Sequence, residues 1–111
     1  MIDWSRVSEL IEEIGAEDFG EIVELFLMEV ETAIGSLEEA AGDAKATEEQ
    51  MHFLKGAALN LGFEALAQIC LKGEKAAASG RADVVTAQEV RTTFETSSAQ
   101  FQADLPERLA A

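Results

Sequence analysis

His52-Phe53-Leu54-Lys55-Gly56-Ala57-Ala58-Leu59-Asn60-Leu61-Gly62 is the stretch from which the rest of the chain can be read. With Met51 before it, the run reads as one continuous helix that buries Met51, Leu54, Ala58 and Leu61 on one face. His52 falls outside that apolar stripe. Lys55 and Gly56 lie one turn beyond it on its own side, and Leu59 lies one turn further. A nucleophile, a cation and a gap are thereby aligned, and Gly62 closes the helix.

Reading outward from this helix, which starts at about Asp43, gives helices on both sides. Asp3 is placed to cap a short first helix presenting Val7, Leu10, Ile11 and Ile14, which Gly15 stops. A long second helix is expected from near Asp18 to no later than Gly42. Its Phe19, Ile22, Val23, Phe26, Val30, Ile34 and Leu37 keep helical spacing. The helix after Gly62 should run from about Glu64 to Ser79, burying Leu66, Ile69, Cys70 and Gly73, with Gly80 as its stop. A fifth, from about Asp83, would present Val84, Ala87, Phe94, Phe101 and Leu105, with Pro106 marking fraying near its end. Short connections make neighbours antiparallel. The expected fold is all-α, an antiparallel four-helix bundle with an additional short N-terminal helix, in a single domain over residues 1–111.

The chemistry of the central run explains its composition. A neutral imidazole nitrogen is a competent nucleophile, since an unperturbed histidine titrates at about 6.5. Phosphoryl transfer asks the protein mainly for positioning and charge stabilisation, so an ammonium group one turn away suits it. A glycine within a helix costs roughly 1 kcal/mol relative to alanine, and its missing side chain leaves room for another protein's backbone beside the ring. Taken singly, His52, Lys55 and Gly56 are ordinary surface residues; together they are specific.

His52, Lys55, Gly56, Ala57, Ala58, Leu61 and Gly62 stand at the places of a His-x-x-Lys-Gly motif followed by small residues and Leu-Gly. In this the chain resembles the histidine-containing phosphotransfer (HPt) domains of phosphorelays. The resemblance implies a helical bundle whose exposed His52 accepts a phosphoryl group from a receiver-domain aspartate or a histidine or hybrid kinase, and passes it to a response-regulator receiver. Ala57 and Ala58 depart from the pattern, because many members carry serines there. The resemblance also implies that the chain binds no cofactor or metal of its own, the Mg2+ needed for transfer sitting in the receiver's acidic pocket.

Helix lengths add one more residue. His52 lies ten residues before Gly62 and Glu74 twelve after it, so the two stand about 15 and 18 Å from the same turn. A carboxylate level with the ring could fix its tautomer. In the resemblance, a glutamate or glutamine on the helix after the histidine helix has this orienting role. The alternative is a surface carboxylate paired with Lys75 or Lys55, and the sequence leaves both open. Leu59 and Phe63 are the candidate partner-binding residues, as an apolar surface beside His52.

Composition narrows the function class. A net charge of −14, from 22 acidic and 8 basic residues, opposes binding to nucleic acid or anionic membranes. No apolar run approaches the ~20 residues of a membrane span, and the start of the chain lacks signal-peptide character, so a cytoplasmic location and a monomeric state are expected. The lone Cys70 reads as core. Glu49 and His52 form a Glu-x-x-His pair of the di-iron type, but such a site needs a second histidine, which the chain lacks. Without a Gly-rich phosphate loop, no kinase or ATPase activity is expected. The remaining alternative is a non-catalytic helical-bundle interaction scaffold, which would never incorporate phosphate at His52.

Overall fold

A computed structural model describes residues 2–110. Five helices follow one another: α1 (Trp4–Ile14), α2 (Ala16–Glu39), α3 (Ala44–Leu61), α4 (Glu64–Ala78) and α5 (Ala87–Ala110). Contacts run from α2 to α3, α3 to α4, α4 to α5 and α5 back to α2, closing a four-helix ring against which α1 lies on α2 and α3. The result is a rod of 46 × 21 × 20 Å, all-α apart from one isolated bridge between Ile2 and Phe63.

The helix ends follow from local chemistry. The Asp3 carboxylate accepts from the Arg6 N–H at 3.2 Å, and the Asp43 carboxylate from the Ala46 N–H at 3.1 Å, so each satisfies an amide that the first helical turn leaves unpaired. Gly62 ends α3 with φ of 86°. A Cβ here would lie 2.8 Å from the Asp3 carbonyl oxygen, so glycine is required by both the left-handed backbone and the close approach. The Asp3 N–H donates to the Gly62 carbonyl at 2.7 Å, and the Arg6 guanidinium donates to the Asn60 carbonyl and side-chain oxygens. These bonds tie the start of the chain to the α3–α4 turn.

Three expectations are corrected. Phe63 is not part of an apolar docking surface: it is 1 % exposed, packed against Phe94 and Phe101. The left-handed turn at Gly62 swings the chain inward, so the next residue enters the core. The fifth helix starts at Ala87 rather than near Asp83, because the Thr86 hydroxyl accepts from the Glu89 N–H and makes the cap. Val85 is buried there and Val84 is exposed. Pro106 does not fray the helix, which continues to Ala110, its last turn held by the Arg108 guanidinium 4.7 Å from the centre of the Trp4 ring, itself stacked on Phe101. The second helix begins at Ala16, immediately after Gly15.

The core runs the length of the rod, with Phe19, Ile34, Met51, Leu54, Leu66 and Phe101 fully enclosed. Each such side chain contributes roughly 1.5–3 kcal/mol of transfer free energy, which fixes helix rotation firmly. That rotation decides which residues of α3 and α4 meet at the surface.

Candidate functional site

Burial of Met51, Leu54, Ala58 and Leu61 turns the opposite side of α3 outward, and the His52 side chain is 70 % exposed there. On α4, burial of Cys70, Gly73 and Ala77 points Glu74 along the α3–α4 seam. The two meet, with Glu74 Oε2 2.7 Å from His52 Nδ1. The other carboxylate oxygen, Oε1, accepts from Lys55 Nζ, also at 2.7 Å. Glu74 therefore pairs with His52 and Lys55 at once, and the two readings left open by the sequence describe the same carboxylate.

Lys55 holds the Glu74 carboxyl below the ordinary carboxylate range through its hydrogen bond, against the opposing effect of desolvation, and the bond from His52 adds to the lowering. An ionised carboxylate can only accept, so the neutral ring must carry its proton on Nδ1. Nε2 is left with a free lone pair directed at solvent. Cys70 lies behind this pair in the core, where burial, reinforced by the Glu74 charge, pushes its thiol up to about 12. It is inert as a nucleophile.

Gly56 is exposed, and a Cβ built on it meets no atom within 4 Å. The space beside the ring is open. Leu59 stands at the edge of a shallow groove shared by His52, Phe53 and Arg6, and is 56 % exposed. The groove continues across Phe53 into a second one lined by Leu25 and Met28 of α2, both largely exposed. Sequence reasoning missed Phe53, Leu25 and Met28. The signal was present in Phe53, an apolar residue one step off the buried stripe 51, 54, 58 and 61 and next to an outward histidine. Leu25 and Met28 were hidden because α2 is apolar over too wide an arc for its outer edge to be assigned. The two lysines of α4, Lys72 and Lys75, are both exposed, and Lys75 makes no bond to Glu74.

Among the described residues no group of three or more His, Cys, Asp or Glu side chains is arranged to hold a metal ion. None of the helices described is long and apolar enough to cross a membrane.

A family model for the Hpt domain matches residues 21–111. The histidine-containing phosphotransfer protein B (HptB) of Pseudomonas aeruginosa PAO1 has a similar solved structure, with a TM-score of 0.82 and 26 % sequence identity, the match covering 99 % of this chain and 96 % of that one. No curated protein sequence matches the chain.

Proposed function

From the premise that this chain belongs to the Hpt domain family, whose members relay phosphoryl groups through histidine between kinases and receiver domains, we propose that His52 is its phosphoacceptor and that Nε2 is the reacting atom. The observation that carries this reading is the 2.7 Å contact of Nδ1 with Glu74, since it leaves Nε2 unprotonated and outward on an exposed ring.

The Nε2 lone pair attacks the phosphorus of a receiver aspartyl phosphate, an N–P bond forms, the P–O bond to the aspartate breaks, and the aspartate leaves as a carboxylate. No proton needs to move. The ring then bears a proton on Nδ1 and phosphorus on Nε2, and its positive charge faces the Glu74 carboxylate. Interaction with that carboxylate strengthens as the charge develops, which is the form in which binding energy lowers a barrier. Lys55 acts in two ways: its bond keeps Glu74 ionised, and its charge beside the ring opposes the negative charge of the incoming group. Gly56 gives the receiver's backbone access, and Leu59, Phe53, Leu25 and Met28 provide the apolar surface on which the receiver docks. The Mg2+ that shields the phosphoryl oxygens would be the receiver's. This chain supplies the nucleophile and the charges that support it but no Gly-rich phosphate loop, so it neither hydrolyses ATP nor phosphorylates itself from it.

The test is transfer from a phosphorylated receiver. Label should enter this chain in an acid-labile, base-stable linkage, ATP alone should give none, and His52→Gln should abolish labelling with helical circular dichroism intact. Label persisting in that variant would sink the assignment.

A further inference from the structure

Four glycines lie within the helices, Gly20, Gly35, Gly56 and Gly73, and at only one of them is the space of a side chain already taken. A Cβ on Gly73 would stand 2.6 Å from Met51 Cε, 2.8 Å from Met51 Sδ and 3.3 Å from Met51 Cγ. The whole thioether of α3 therefore lies across the bare backbone of α4. Both residues are buried, Met51 completely. Gly73 has ordinary helical φ, so no backbone strain asks for glycine, and its presence costs helix stability relative to alanine. Close approach of the two helices accounts for it.

The level of this contact is what gives it meaning. Met51 immediately precedes His52, and Gly73 immediately precedes Glu74. Successive helical residues are rotated by about 100°, so at one level of the seam Met51 and Gly73 meet on the core side while His52 and Glu74 meet on the solvent side. We propose that Gly73 is a positioning residue for phosphoryl transfer: by admitting the Met51 thioether it sets the spacing of α3 and α4 at which Glu74 reaches Nδ1 of His52.

The margin is small. The bond is 2.7 Å, and a shift of about 1 Å between the helices would carry it beyond the distance at which a side-chain hydrogen bond survives. Met51 is the adaptable partner, since a thioether chain fills irregular gaps, but it is fully enclosed and has no free surface to retreat to. The proposal rests on the orienting role given above to Glu74 and adds what holds Glu74 in range.

The experiment uses the full chain as wild type, Gly73→Ala, and the double variant Gly73→Ala/Met51→Val, which conserves the number of side-chain heavy atoms at the contact. Two readouts are taken, the tautomer of the neutral His52 ring by nitrogen-15 NMR and the rate of ring labelling by phosphoramidate. Gly73→Ala should keep its helical circular dichroism, lose the dominance of the Nδ1–H tautomer, and be labelled about fivefold more slowly, as for loss of one exposed charge-assisted bond. The double variant should regain both. Wild-type tautomer and rate in Gly73→Ala would mean that the thioether swings aside at no cost to the site, and would overturn the proposal. Should Gly73→Ala fail to fold, the double variant decides alone, a wild-type tautomer supporting the proposal and a lost one refuting it. Failure of wild type to take up phosphate would instead refute the phosphohistidine reading, while the tautomer comparison would still judge Gly73.

Discussion

Replacing Glu74 tests whether the carboxylate orients the ring or merely decorates the seam. It accepts two bonds of 2.7 Å and its side chain is 18 % exposed, whereas the ring it holds is 70 % exposed. A shielded hydrogen bond to a charged group contributes about 1.5–3 kcal/mol, and water competing for the ring reduces this to about 1 kcal/mol. In rate that is about fivefold. Glu74→Ala should therefore slow phosphoramidate labelling of His52 about fivefold, measured above pH 8 so that an ordinary histidine is neutral. Glu74→Gln should lose no more than about twofold, because its amide oxygen can still accept from Nδ1–H. An alanine variant labelled at the wild-type rate would remove the orienting role. A glutamine variant as slow as alanine would show that Glu74 acts only through its attraction for the charge developing on the ring, and not by orienting it.

Phe63→Ala should destabilise the fold by about 3–5 kcal/mol, lowering Tm by about 15 °C, whereas Leu59→Ala should change stability by less than about 0.5 kcal/mol and yet slow transfer from a receiver. Thermal melts and transfer assays on the pair check this, and equal effects on stability would contradict their different burial. Gly56→Leu should fold and reduce receiver-dependent transfer at least about tenfold by occupying the open space beside the ring, with labelling by phosphoramidate reduced less than about twofold. Equal losses with both donors would refute the access role. Lys55→Ala removes the main cause of the lowered Glu74 pKa. A carboxyl whose folded pKa is depressed contributes stability above its unfolded pKa and loses it as pH falls through the folded value, so the deficit of Lys55→Ala should be present at neutral pH and shrink as pH falls below 4.5. Urea unfolding across that range measures it, and a deficit independent of pH would assign Lys55's effect to packing.

Much of this fold was legible because helix boundaries here rest on local chemistry. Asp3, Asp43 and the positive-φ glycines Gly15 and Gly62 act within a few residues of themselves, and a sequence shows them directly. Thr86 was harder, since the stretch before it, with Asp83 and two valines, reads equally well as the opening of a helix. Phe63 was misread because its side is set by the turn at Gly62 and by phenylalanines some 30 to 40 residues away, not by the period of α3. At the site, the level of Glu74 with His52 followed from helix rise alone, but their contact did not. That required the rotation of two helices, which the whole core sets, and their separation, which depends on Met51 meeting Gly73, a contact between residues 22 apart in sequence.

The most direct test of the phosphohistidine reading is to find which ring nitrogen holds the phosphorus. The chain, labelled with nitrogen-15 in its single histidine and phosphorylated by a receiver, should show phosphorus–nitrogen coupling at Nε2 of His52, with Nδ1 still protonated against Glu74. Coupling at Nδ1, or phosphate on any residue other than His52, would contradict it.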